Sequence, residues 1–102
     1  MSKVRVAFNG MGRIGKNVMR VIVQQFNDQI EIVAGNDLVP SKVIAQGLAK
    51  DSIFGRFPVD VSLVDDNVIK VGDHEITVYS EKDANNIPWS KHNVDIVFEC
   101  TG

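Results

Sequence analysis

Short apolar runs alternate with periodic stretches along this chain, and the first three predict strand, helix and strand. Val4 to Phe8 is rich in strand-forming residues and closes on Asn9-Gly10. From Arg13 to Asn27 the apolar residues Ile14, Val18, Val21 and Ile22 recur at helical spacing and mark one face of an amphipathic helix. Ile30 to Ala34 is a second short apolar run, closed by Gly35-Asn36-Asp37. Three such elements within about thirty residues make a βαβ unit with parallel strands.

Beyond this unit, Pro40-Ser41 opens a predicted helix through Lys50, with the proline near the first turn, where its missing N–H costs little. The pattern then changes. Val59, Val61 and Leu63 alternate with Asp60 and Ser62, as in a half-buried strand. Asp65-Asp66-Asn67 and Gly72-Asp73 are turn chemistry that separates Val68 to Val71 from Glu75 to Tyr79. Together these predict an antiparallel insertion of two or three strands. Asp83 to Asn93 reads as a turn or short helix, and Val94 to Cys100 as a last buried strand parallel to the first.

A length of 102 residues suits one small domain, and 44% hydrophobic with 24% charged residues is ordinary for a soluble globular chain. A net charge of −2 gives no reason to expect nucleic acid or a membrane surface as partner. Met1-Ser2-Lys3 runs straight into the first strand, leaving no room for a signal peptide. The single cysteine, Cys100, has no internal partner, so a reducing, cytoplasmic setting is expected. The sequence closes on Glu99-Cys100-Thr101-Gly102, directly after a predicted strand, which reads as a fragment of a longer protein.

The chemistry-bearing motif is Gly10-Met11-Gly12-Arg13-Ile14-Gly15, a G-x-G-x-x-G between a predicted strand and a predicted helix. In that context Gly10 permits a tight turn, Gly12 lets a pyrophosphate approach, and Gly15 lets the helix pack closely on the sheet. The phosphates would sit on free helix N–H groups near Arg13 and Ile14. A merely structural glycine turn is the other reading. Asp37 lies 22 residues after Gly15, where a carboxylate accepts hydrogen bonds from ribose hydroxyls. No arginine follows closely to offset its charge against a 2′-phosphate, so NAD is favoured over NADP. An aspartate after Asn36 also suits a turn or a helix cap. Thr101 and Gly102 end the last strand, at the edge where such sheets place ligands.

Taken together, these residues resemble the N-terminal part of glyceraldehyde-3-phosphate dehydrogenase. The resemblance runs through Asn9 to Gly15, Asn36-Asp37-Leu38, Asp51-Ser52-Ile53-Phe54-Gly55-Arg56-Phe57, Ile87-Pro88-Trp89 and Glu99 to Gly102. It implies a Rossmann-type, doubly wound parallel α/β sheet with an antiparallel β insertion, truncated within the NAD-binding domain, the catalytic domain lying outside residues 1–102. It also implies NAD as cofactor, bound by backbone at Arg13 and Ile14 and by the Asp37 carboxylate, with Lys82 where the family places an arginine beside the adenine. Further departures are Met11 for phenylalanine, Lys16 for arginine, Phe54 for histidine, and Ala49-Lys50 for a Lys-Tyr pair.

The family's Ser-Cys-Thr-Thr-Asn-Cys nucleophile segment is not in this sequence, so the chain alone is expected to be inactive. Cys100 closes an apolar strand without a neighbouring base and reads as a small hydrophobe. His74 and His92 read as solvated turn residues without metal-site spacing, and Trp89 as an anchor for its loop. Asp65-Asp66 reads as turn chemistry. The intact family implies a tetramer; for the fragment, an exposed sheet edge predicts a dimer or larger homo-oligomer. The rival functions are erythrose-4-phosphate dehydrogenase, which tends to carry glutamate at the position of Asp37, and a stand-alone dinucleotide-binding or interaction module.

Overall fold

The computed structural model describes residues 3–53, 55 and 57–101; Phe54, Arg56 and Gly102, named above, lie outside them. β1 (Val4–Asn9) and β2 (Ile30–Asn36) pair in parallel, with α1 (Arg13–Gln25) between them in sequence, so the predicted βαβ unit is present. Both strands outrun their apolar cores and end on asparagine, because Asn9 and Asn36 are themselves partners in the ladder. α1 stops at Gln25 rather than Asn27. Phe26 leaves helical geometry, and its carbonyl accepts the amides of Gln29 and Ile30, turning the chain into β2.

α2 (Ser41–Ile53) starts where Pro40 predicts and continues past Lys50. β3 (Val61–Asp65) and β4 (Val68–Val71) pair antiparallel, while β5 (His74–Tyr79) is antiparallel to β4 on one side and parallel to β2 on the other. The insertion is thereby joined to the parallel sheet. β6 (Ile96–Glu99) pairs in parallel with β1, giving one six-stranded sheet in the order β3-β4-β5-β2-β1-β6. Two single-turn 3-10 helices, Ala84–Asn86 and Trp89–His92, fill the segment predicted as a turn or short helix.

The main core lies between the sheet and both helices. Val6, Phe8, Ile32, Ile69 and Ile76 from the strands meet Met19 and Ile22 of α1 and Leu48 of α2. An ion pair of 2.7 Å from Lys16 to Asp51 links the two helices. The opposite face presents smaller residues, Ala7, Val33 and Ala34, covered by Tyr79, Trp89 and Val94. Among the described residues, a 3-10 turn rather than an α-helix packs there, and Trp89 does anchor it, edge-on to Tyr79.

Several expectations need correcting. Neither edge strand has the burial its apolar alternation suggests: in β3, Leu63 and Val64 face solvent, and in β6, Ile96 and Val97 are 49% and 37% exposed. An edge strand is buried only where another element covers it: Val61 of β3 and Phe98 of β6 reach the core, while Leu63, Val64, Ile96 and Val97 stay outside it. β6 also begins at Ile96 rather than Val94, after the Asp95 amide has bonded to Arg5 O. β3 likewise starts at Val61, two residues after Val59, beyond the Asp60 carbonyl that accepts the Gly72 amide.

The histidines are not solvated turn residues. His74 is 2% exposed. Its Nδ1 accepts the Ile32 amide at 3.1 Å, so Nε2 carries the proton and donates to Asn27 Oδ1 at 2.8 Å. The β2–β5 ladder starts only at Ala34, and the imidazole supplies the missing partner for Ile32. Its position was legible in the alternation His74, Ile76, Val78, which all point inward. His92 joins its Nε2 to the Tyr79 hydroxyl at 2.6 Å, while its carbonyl accepts Arg5 Nε at 2.8 Å.

Burial, with the Lys3 charge second, holds the His74 imidazole below its ordinary value. The unfolded chain therefore takes up a proton where the fold resists it, so stability is full above about pH 6.5 and declines as pH falls below it. Replacing His74 with Phe leaves the Ile32 N–H and the Asn27 side chain unpaired; urea unfolding should show a loss of about 1–3 kcal/mol and a shallower acid slope. Wild-type stability and slope in that variant would refute this role.

Gly10 has φ +97°, and a Cβ on it would lie 2.7 Å from both Cys100 C and Thr101 N. Gly10→Ala should therefore cost about 2 kcal/mol or more, read as a lower urea midpoint. An unchanged midpoint would show that β6 and the loop do not meet as described.

Candidate functional site

Register brings the carboxyl ends of three strands together: Asn9 of β1 faces Asn36 of β2 on one side and Glu99 of β6 on the other. The chain leaves β1 for β2 and β5 on one flank and returns to β6 on the other, so the sheet order reverses beside β1. Open α/β sheets hold ligands at such a switch point, outside the carboxyl ends of the strands. A cleft of about 530 Å³ opens there. Asn9, Gly10 and Gly12 line it from the loop, Asn36, Asp37 and Leu38 from the end of β2, Glu81 and Lys82 from beyond β5, and Cys100 and Thr101 from beyond β6.

The three loop glycines divide as the motif requires. Gly10 lies against the backbone of Cys100 and Thr101, and Gly15 against Gly10, whose carbonyl oxygen would be 2.6 Å from a Cβ there. At Gly12 a Cβ would meet no protein atom within 4 Å. Packing explains the first two; Gly12 instead borders open space in the cleft.

Gly12 is also the N-cap of α1, whose first intrahelical bond runs from the Lys16 amide to Gly12 O. The amides of Arg13, Ile14 and Gly15 precede that bond. No side chain caps the helix and no acidic residue stands in its first turn, leaving the positive end of the helix dipole uncompensated. This is an arrangement suited to a phosphate group.

Asp37 stands on the facing rim, its amide bonded to Tyr79 O at 2.9 Å. Its Oδ2 accepts the Met11 amide at 2.7 Å and its Oδ1 the Val39 amide at 3.0 Å. A carboxylate has further lone-pair directions beyond these two, enough to accept ribose hydroxyls as well. The residues present therefore fit a dinucleotide: free helix amides and an unobstructed Gly12 for the diphosphate, an acceptor for the ribose, and Leu38 with Lys82 beside it.

A chain of side-chain hydrogen bonds ties the strand ends together. Asn36 Oδ1 accepts the Glu81 amide at 2.8 Å, and Asn36 Nδ2 donates to Asn9 Oδ1 at 2.9 Å. Asn9 Nδ2 donates in turn to Glu99 Oε2 at 2.9 Å. The Thr101 hydroxyl also donates to Glu99, and these two donors hold its carboxyl below the usual range, the Thr101 bond being the larger cause. Both asparagines are buried and bonded through both Oδ1 and Nδ2, so their amides are held in orientation.

Of the candidates named from sequence, Asn9, Gly10, Gly12, Asn36, Asp37, Lys82 and Thr101 come together on this cleft. Arg13 and Ile14 are not among the residues that line it: Arg13 lines a neighbouring groove and Ile14 is exposed, and their amides belong to the uncapped first turn of α1. Gly15 packs beneath the loop, and Gly102 lies outside the described residues. Leu38, Glu81 and Glu99 were missed. An exposed leucine directly after the acidic residue was the available signal for the first; the other two depend on long-range register. Burial, followed by the Glu99 charge, pushes the Cys100 thiol up, the wrong direction for a nucleophile. A larger hollow of about 880 Å³ lies at the other end of α1, lined in part by Asn27, Asp60 and Lys70, but the free helix amides do not reach it. Among the described residues no helix is long and apolar enough to cross a membrane.

Comparison with known proteins agrees with this geometry. The profile of one family, described as "Glyceraldehyde 3-phosphate dehydrogenase, NAD binding domain", matches residues 4–102. A glyceraldehyde-3-phosphate dehydrogenase of Mycoplasma pneumoniae is 46% identical over 99 residues, 97% of this chain and 28% of that protein. One from Thermotoga maritima is 44% identical over 98 residues, covering 96% and 29%. A chloroplastic form A from Chlamydomonas reinhardtii is 41% identical over 100 residues, covering 98% and 27%. The chain thus spans less than a third of the length of these curated relatives. With the glycine loop, the open helix end and Asp37 gathered on one cleft, the match along almost the whole chain places it in the NAD-binding-domain family of glyceraldehyde-3-phosphate dehydrogenases, with NAD as its cofactor.

Proposed function

We propose that this chain holds NAD for an enzyme that oxidises glyceraldehyde 3-phosphate with phosphate uptake, and that it performs no chemistry alone. The observation that carries this is the uncapped start of α1, whose N-cap Gly12 lines a cleft that also bears Asp37. Bound NAD supplies the hydride acceptor. The chain's own residues bind and orient it: the Arg13, Ile14 and Gly15 amides take the diphosphate, Gly12 leaves it room, and Asp37 accepts the ribose hydroxyls while repelling a 2′-phosphate. Lys82 and Leu38 flank the adenine, and Thr101 borders the crevice on its nicotinamide or adenine side. Asn9 and Asn36 hold the strand ends at fixed spacing, so these groups keep their relative positions.

Residues 1–102 serve in this proposal as the nucleotide-binding part, with nucleophile and base supplied by the rest of the whole protein in a cytoplasmic setting. The raised Cys100 thiol supports that division of labour. The uncovered edge of β6, with Ile96 and Val97 exposed, supports self-association of the chain.

Gly12→Ala should lower NAD affinity at least about tenfold while changing unfolding stability by no more than about 1 kcal/mol, because its Cβ meets only the ligand's space; calorimetry beside urea unfolding checks both. Wild-type affinity in that variant would sink the assignment of the loop. The same titration should find NADP at least about tenfold weaker than NAD, since its 2′-phosphate meets the Asp37 charge.

Sedimentation at rising concentration should show dimers or larger species, reduced by Val97→Lys on the open edge. A monomer at every concentration contradicts the assembly part of the proposal.

A further inference from the structure

Asp37 has hydrogen-bond partners within its own chain. Its Oδ2 accepts the Met11 amide at 2.7 Å, and Met11 sits between the two loop glycines that line the cleft. The Met11 side chain is only 7% exposed and lies against Gly35 of β2, where a Cβ would come within 2.5 Å of its sulfur. Next to it, the Gly10 amide donates to Asn36 O at 2.7 Å. The loop is therefore fastened twice to β2, by the Gly10 backbone and by the Met11 side chain over a residue that has none, and once to Asp37 just beyond it, by the Met11 amide.

Resting on the dinucleotide reading above, we propose that Asp37 is a positioning residue for the phosphate-binding loop as well as a ribose acceptor. Its carboxylate fixes the Met11 amide, which presets Gly12 and the first turn of α1 before the cofactor arrives. A loop held in its bound shape spares the ordering cost that binding otherwise carries. The two roles predict opposite signs for one quantity. A carboxylate beside a diphosphate repels it, so by charge alone removing Asp37 strengthens binding of a diphosphate that has no ribose. If the carboxylate holds the loop, removing it weakens that binding.

The probe is inorganic pyrophosphate, titrated into the whole chain by calorimetry, with amide hydrogen exchange of Met11 measured on the unliganded protein. Asp37→Ala should speed Met11 exchange about tenfold, the scale of one hydrogen bond to a charged acceptor, while the Ile32 amide in the core keeps its protection. Pyrophosphate binding should weaken by a similar factor of about ten. Asp37→Asn keeps an acceptor without the charge, and should retain most of the Met11 protection while losing affinity for ADP relative to pyrophosphate. Gly35→Ala displaces the Met11 side chain without touching the carboxylate, and should also speed Met11 exchange and weaken pyrophosphate; Asp37→Ser, which likewise removes the carboxylate, decides the matter should Asp37→Ala not fold. Unchanged Met11 exchange, or equal or tighter pyrophosphate binding, overturns the proposal. A wild-type chain that binds neither ADP nor pyrophosphate defeats the cleft assignment instead, and Met11 exchange still decides whether Asp37 holds the loop.

Discussion

Everything at the ligand edge depends on how closely three backbones approach Gly10. Its amide bonds to Asn36 O of β2, its α-carbon lies against the Cys100–Thr101 peptide beyond β6, and its carbonyl lies under Gly15 of α1. No side chain fits in that space, and the positive φ that turns the chain there is one that L residues rarely adopt. The first strand, the first helix and the last described strand are brought to a common point because one residue takes no room. The cleft is the space left over on the open side of that point.

Given that convergence, the electrostatics follow from local chemistry. The helix end is left without a cap, so its partial positive charge is free. The carboxylates nearby are not loose: Asp37 is bonded to two amides and Glu99 to Asn9 and Thr101. Negative charge is thereby held at the rims and backbone N–H groups at the centre. A neutral purine with a vicinal diol at one end and phosphates in the middle matches that distribution; a 2′-phosphate does not.

The sequence made the first half of the site legible because the relevant physics is local. A strand, a glycine turn and a periodic helix follow one another within Val4 to Gln25, and the motif needs no distant partner to be recognised. Asp37 was legible for the same reason, since it follows directly on β2. What failed depended on distant register. His74 sits in turn-like sequence, Gly72-Asp73-His74, yet its task is to pair an Ile32 amide that lies before the first β2–β5 ladder pair, Ala34 with Thr77. The exposure of β6 is set by what packs on it, not by its own apolar composition. The Asn36–Asn9–Glu99 chain could not be read at all before the strand order was known, because its members are spread from Asn9 to Glu99.

The central claim is that the cleft at the ends of β1, β2 and β6, rather than the larger hollow at the far end of α1, receives the cofactor. Backbone amide shifts followed during an NAD titration test it most directly. The account predicts that the largest changes fall on Gly12 to Lys16 and on Asp37 and Leu38, with Asn27, Asp60 and Gly72 unmoved. Changes concentrated on Asn27, Asp60 and Gly72, with a silent glycine loop, would contradict it.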